Sequence, residues 1–255
     1  MEQGHDVKAA LSIYMQTLDS ISFTTTLKST HLPLTMLQEP SGMNIFHDIA
    51  DCVVKESYLI EYLEILKSEF NDRYFEGSQE MIKSMLNQHG GRDRLTPLMC
   101  AVRHNRKVII TKQLLKQLVA LGGDFWRKDA NGQSLVHMAA AHGFDSILVY
   151  LCFVLKMSYV ENERNGRSPL HMACLENQVV TGMLLIVWNE ELDTQDVEDF
   201  TPLHLAVLSS SYKLVRNLVI MNADMTIKDK KGETALDIAL NRGDASIIKL
   251  LVNGI

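Results

Sequence analysis

Cysteine is scarce: four residues in 255, at Cys52, Cys100, Cys152 and Cys174, with no C-x-x-C pair among them. That spacing argues against a disulfide framework and against a structural zinc site, whose thiolates come in close pairs. Isolated thiols of this kind act as small hydrophobes and suit a reducing compartment. Long apolar runs are missing too. The longest uninterrupted one, Ile147 to Leu155, falls far short of the ~20 residues a membrane helix needs. The opening MEQGHDVK is polar, with no apolar signal core behind it. An excess of positive charge is absent as well: 25 Lys and Arg stand against 31 Asp and Glu, a net charge of −6. A broad nucleic-acid-binding face is therefore not expected, although a local basic patch is compatible with this balance. A hydrophobic content of 46% with 22% charged residues excludes general disorder. The chain reads as soluble and cytoplasmic, without direct membrane insertion.

What the sequence has in quantity is repetition. Thr96-Pro97-Leu98-Met99, Ser134-Leu135-Val136-His137, Ser168-Pro169-Leu170-His171, Thr201-Pro202-Leu203-His204 and Thr234-Ala235-Leu236-Asp237 align, with first residues 38, 34, 33 and 33 positions apart. A weaker copy, Asn44-Ile45-Phe46-His47, precedes them by 52 positions. This pattern resembles the ankyrin family, whose period is about 33 residues and whose Thr-Pro-Leu-His motif these segments match. The resemblance covers roughly residues 39 to 255. It implies an all-α solenoid of about six helix–turn–helix repeats with β-hairpin finger loops. The expected organisation is an N-terminal helical cap over 1–38, then repeats near 39–90, 91–128, 129–162, 163–195, 196–228 and 229–255.

Each motif position has a physical task. Ser or Thr caps the first helix, and Pro at the next position is already set to a helical φ. Ala101, Ala139, Ala173, Ala206 and Ala239 let helices approach closely. Two residues before the cap, Gly42, Gly132, Gly166 and Gly232 suit a turn with φ > 0. Arg94 and Asp199 replace glycine there, and Arg tolerates it less well, so the second repeat is expected to turn differently. Leu118-Val119, Leu151-Cys152, Leu185-Ile186, Leu218-Val219 and Leu251-Val252 suit second helices. Met157 and Asn189-Glu190-Glu191 depart from the family's Gly-Ala-Asp turn, which predicts irregular fingers there. The two long intervals predict insertions, one bulging at Lys67–Glu80 and one between Arg103 and Leu115, both candidate recognition loops. Leu11, Tyr14, Leu18 and Ile21 recur at helical spacing, and Ser22 to Thr30 reads as a Ser/Thr-rich link. Ile247, Ile248, Leu251 and Val252 look like internal core positions, so the C-terminal edge is a further expected contact or the natural chain continues.

Chemistry is not indicated. His47, His137, His171 and His204 share one motif position, but stacking spreads equivalent positions along the array, whereas metal ligands must converge. Each imidazole is expected to hydrogen-bond within or between repeats. A His142–Cys174 nucleophilic pair has no sequence context. No phosphate-cradling loop and no H-E-x-x-H occur. The reading is a non-catalytic protein-interaction scaffold or adaptor, with no cofactor and no metal. In ankyrin arrays, partners meet the fingers and the exposed ends of the first helices, on the concave side. Carried onto this sequence, the resemblance implies partner-binding residues Arg92, Arg103, His104, Phe125, Trp126, His142, Arg164, Arg167, Glu176, Val197, Glu198, Phe200, Leu208, Lys230, Lys231 and Arg242. Arg92, Arg103, Arg164 and Arg167 form a candidate basic track, followed by six carboxylates between Glu190 and Asp199. Two rival readings stand beside this one. The closing repeats look like the ankyrin sections of some membrane-bound palmitoyltransferases, without their Asp-His-His-Cys motif, which would make the chain a recruiting module. The chain could also be a structural subunit of a permanent assembly.

Overall fold

The computed structural model describes residues 2–17, 19–30, 33–51, 56–74, 76–104, 108–188 and 191–253; the side chains of 2–5, 56–59, 104 and 108–113 lie outside that description. The described residues form fifteen α-helices and no strand. They divide into two compact units, Met1–Ala130 and Asn131–Ile255.

In the first unit, α1 (Glu2–Thr17) and α2 (Ser20–Ser29) form a hairpin that packs on α3 (Ile45–Asp51) and α4 (Glu56–Arg73). The Ser/Thr-rich link expected at residues 22–30 is instead most of α2. Hydroxyls favour non-helical backbone when they compete for its donors and acceptors. Here they bond backward along the helix, Thr24 to the Ser20 carbonyl at 2.7 Å and Thr25 to Ile21 at 2.8 Å. Asp19 caps the first turn through the Ser22 amide at 2.9 Å, and Phe23 and Leu27 are buried. The expected continuous stripe from Leu11 to Ile21 breaks between the two helices: Leu11 is buried but Ile21 is exposed, and Leu18 lies outside the described residues.

The bulge expected at Lys67–Glu80 is also corrected. Residues 67–73 are the last turns of α4, where Phe70 is buried against Phe46 with ring centroids 6.2 Å apart. An apolar anchor on the same helix face as Leu66 and Leu63 makes helix cheaper than loop. The chain turns at Gly77 (φ 97°) and enters α5 (Ser78–Leu86). The second insertion lengthens α7 (Val108–Ala120), which follows α6 (Pro97–His104); residues 105–107 lie outside the description.

The second unit is a stack. Its first helices, α8 (Leu135–His142), α10 (Pro169–Leu175), α12 (Pro202–Leu208) and α14 (Ala235–Arg242), pack each on the next. Their partners are α9 (Asp145–Val149), α11 (Val179–Trp188), α13 (Tyr212–Ile220) and α15 (Ala245–Asn253). α9 widens into a π-helical turn at Tyr150–Val154, and the backbone after it reaches φ 58° at Lys156, the irregularity expected beside Met157. The motif alanines are all fully buried, as close helix approach requires. At the C-terminal edge, Ile247 and Leu251 are buried in this stack, and Val252 and Leu240 are largely exposed, so among the described residues the apolar edge is smaller than its sequence implies.

The fingers are closed by turns rather than by the expected β-hairpins. Glu163 donates its amide to the Arg167 carbonyl, Asp196 to Phe200 and Asp229 to Glu233, each at 2.9 Å. The residue before each closing position takes positive φ: Gly166 at 74°, Asp199 at 60° and Gly232 at 80°. Among the described residues only isolated bridges form, as at Lys228–Thr234. In the second repeat Gly90 and Leu95 exchange both backbone bonds across a loop one residue longer, and Arg94 adopts φ 53°. That repeat does turn differently. One backbone bond links each finger to the next within a unit: Arg164 N–H to Asn131 O, Val197 to Asn165, and Lys230 to Glu198, at 2.9, 2.8 and 3.2 Å.

Candidate partner-binding face

The recurring histidines are structural. Nδ1 of His137, His171 and His204 lies 2.8 Å from the hydroxyl of Ser134, Ser168 and Thr201, which closes a reciprocal cap at each helix start. Nε2 of His137 and His171 reaches the next repeat, at 3.1 Å from the carbonyls of Arg167 and Phe200. His47 does the same toward Leu95 at 3.0 Å. His204 faces the Glu233 carbonyl without completing that bond. Burial, the largest influence, pulls His47 and His171 down to about 4 and lowers His204 as well. Neutral rings are therefore built into the stack. Among the described residues no His/Cys/Asp/Glu grouping is arranged to hold a metal ion.

The thiols have the environment of core residues. Burial pushes Cys100 and Cys152 up to about 12 and Cys174 higher still, so none of these three is a thiolate poised for attack; Cys52 lies outside the described residues. His142 is exposed at the end of α8 with its ring 5.7 Å from Phe144, while Cys174 is fully buried in α10.

Four of the residues named from the sequence are brought together. Phe200, Leu208, Lys231 and Arg242 line one recess of about 200 Å³, with Ile238, Asn241, Asp229 and Glu233 completing it. Each is placed by a repeat feature. Phe200 precedes the Thr201 cap, and its half-buried ring sits 6.0 Å from His204. Leu208 and Arg242 end first helices, and Lys231 is at a finger tip. The polar rim is uneven. Asp229 is occupied by its own finger, accepting the amides of Lys231 and Glu233 at 2.9 Å, and Glu233 accepts from Asn241 at 2.7 Å. Arg242 bonds the Ser210 hydroxyl at 3.2 Å, and among the described residues neither it nor Lys231 pairs with a carboxylate. The recess thus pairs an apolar floor with two cations that are not neutralised.

Ile238, the buried floor, was missed in the sequence. It stands at the register of Leu205 and Met172, which are buried as well, so the repeat alignment itself could have located it.

The other named residues do not line this recess. Val197 and Glu198 are exposed at the preceding finger tip, where Glu198 lies 3.7 Å from Lys230. Arg164 and Glu176 are exposed. Arg167 is not a free cation: it pairs at 3.0 Å with Asp196, whose side chain is fully covered. In the first unit, Arg92 is exposed and Arg103 pairs with Asp93. Phe125 is half-buried and Trp126 exposed, with ring centroids 5.3 Å apart. His104 ends α6, and its side chain lies outside the description. Two of the four arginines in the expected basic track are therefore held in ion pairs inside their own units.

No helix among the described residues is long and apolar enough to cross a membrane. Compared with known proteins, residues 150–229 and 183–255 match the family model of ankyrin repeats, which finds three copies. Over 167 residues, 64% of the chain, the sequence is 28% identical to the nuclear factor NF-kappa-B p105 subunit of Rattus norvegicus; the match spans 15% of that relative's length.

Proposed function

The chain is an ankyrin-repeat protein, and from that premise we propose that it is a non-catalytic scaffold or adaptor that captures another protein on its finger face. Ankyrin repeats are in general protein–protein interaction modules, and repeat arrays use extended surfaces of this kind. The observation that carries the reading is the recess at Phe200, Leu208, Lys231 and Arg242, where an apolar floor adjoins two cations without carboxylate partners. A partner segment with an apolar side chain beside an acidic one matches it. The apolar group supplies burial, and the carboxylate supplies orientation and steering. The buried, protonated thiols agree with a reducing location, which we take to be the cytoplasm.

Lys231→Glu with Arg242→Glu tests this directly, because both side chains are exposed and the fold does not depend on them. Affinity capture of proteins by the wild type and by the double variant, quantified by mass spectrometry, should show at least one partner lost by roughly 30-fold or more, the scale of a ~2 kcal/mol hot spot. Undiminished recovery of every captured protein by a folded variant ends the assignment. Reversal at Arg167 is a poorer test, since it strands the covered Asp196 carboxylate.

A further inference from the structure

The second helices of the stack carry an outward row of side chains whose positions can be compared between repeats. Counting from the capping residue, places 12, 15 and 19 hold Lys213, Arg216 and Ile220 after Thr201, and Ser246, Lys249 and Asn253 after Thr234. That is an ordinary solvated ridge. After Ser168 the same places hold Val180, Met183 and Val187, and after Ser134 the last two hold Val149 and Phe153. They are not covered: Val180 is 60% exposed, Val187 71% and Phe153 49%, with Val154 beside it at 62%. The fold does not require apolar residues here, because Lys213 and Arg216 in α13 and Ser246, Lys249 and Asn253 in α15 occupy the same places.

These side chains form one face. Phe153 meets Trp188 edge-on at 4.8 Å between ring centroids, joining the π-helical turn to α11. Neither α11 nor residues 147–155 contain a charged side chain. A surface helix is normally polar on its solvent side, and α11 is apolar all round, the pattern of a helix covered on both sides.

From this we infer that α11 and the π-helical turn form a self-association face, covered by the same face of a second copy of this chain. Two features select that occupant. The first is size: Val149, Phe153, Val154, Val180, Met183 and Val187 expose on the order of 500 Å², beyond scattered surface hydrophobes. With a polar rim of about 40%, such a core reaches the ~800 Å² per partner of a standard stable interface. The second is charge. A face without ionised groups offers no handle for an acidic or basic partner and no cation for lipid headgroups, but it is complementary to itself across a two-fold axis. It shares no residue with the Phe200 recess, so each copy keeps its finger site.

Sedimentation equilibrium of the full chain from about 1 to about 100 µM reads this out. The expected mass rises from the 28.8 kDa monomer toward twice that value. Val180→Lys with Val187→Lys should weaken association at least tenfold with the helical circular dichroism unchanged, and Arg216→Glu on the neighbouring ridge should leave it intact. Val154→Lys, on the other helix, gives the same loss by an independent route. A monomer at every concentration overturns the inference, including one that floats with phosphatidylcholine vesicles instead. So does a dimer unaffected by all three lysines.

Discussion

Within single residues, the strongest consequence concerns the imidazoles. His47 and His171 are held near 4 by burial, against an ordinary value of 6.5, and His204 is shifted in the same direction. Between those values the unfolded chain binds protons that the folded chain refuses, so stability falls as pH falls from about 6.5 toward 4. Asp48 acts oppositely: burial raises its carboxyl, which takes up a proton sooner in the folded state and so gains from acidification. One carboxyl opposes three rings, and the rings prevail. Asp19, Asp224 and Asp237, all lowered by hydrogen bonds, lose their contribution only below the ordinary carboxylate value. The urea midpoint should therefore drop between pH 7 and pH 5, and by less in His171→Gln. An equal or higher midpoint at pH 5 contradicts the arrangement. The capping role of these rings could be read from the motif, because Ser or Thr three residues before His is a reciprocal cap in any repeat. Arg94 could be read too, as a bulky residue at a glycine position. The pairing of Arg167 with Asp196 could not, since a finger arginine looks alike whether it is free or bonded to the next finger.

At the scale of elements, the surprise is how α1 is attached. In the later repeats the place four residues after the cap is apolar and buried: Met138, Met172, Leu205 and Ile238. In α3 it is Asp48, and it meets Lys8 of α1 at 2.7 Å. Lys8 is only 2% exposed, also bonds Glu39 at 3.0 Å, and sits beside Ser12, whose hydroxyl donates to Asp48. A covered ion pair adds little net stability but is costly to halve, on the order of 3–5 kcal/mol. Lys8→Met should thus lower the stability of the first unit by that amount, and Lys8→Met with Asp48→Leu should recover most of it. Equilibrium denaturation of the two variants decides the matter; a double variant as unstable as the single one shows that the charges were not coupled. Nothing in the sequence pointed to this contact, because a lysine in a polar N-terminal stretch reads as solvated. α2 was obscured for a related reason. Ser and Thr signal a link when their hydroxyls compete with the backbone, and only the burial of Phe23 and Leu27 turns the balance toward helix. The helices that follow were legible because their caps, prolines and alanines agree with one another.

For the molecule as a whole, repetition determines how a local defect spreads. α10 packs directly on α8 and α12, and α14 packs on α12. Leu170 is fully buried in α10, so Leu170→Ala should cost about 2–5 kcal/mol. In a globule with a single core that loss would be shared by every residue that exchanges through global unfolding. In a stack, stability is a sum of repeat and nearest-neighbour contributions, so the loss is graded. Hydrogen exchange on Leu170→Ala should show protection falling most in α8, α10 and α12 and least in α14 and α15. A uniform drop across the second unit would mean its helices cooperate as one core, and the nearest-neighbour account would fail. The same reasoning explains why the repeat array was visible in the sequence while the α11 face was not. Periodic motifs report the contacts every repeat must make with its neighbours, and they are silent about side chains that point away from all of them. Val180, Met183 and Val187 lie in a run that is apolar at almost every position, so periodicity cannot separate those that fill the stack from those that face outward. Only the exposed places shared with Lys213 and Arg216 make the distinction.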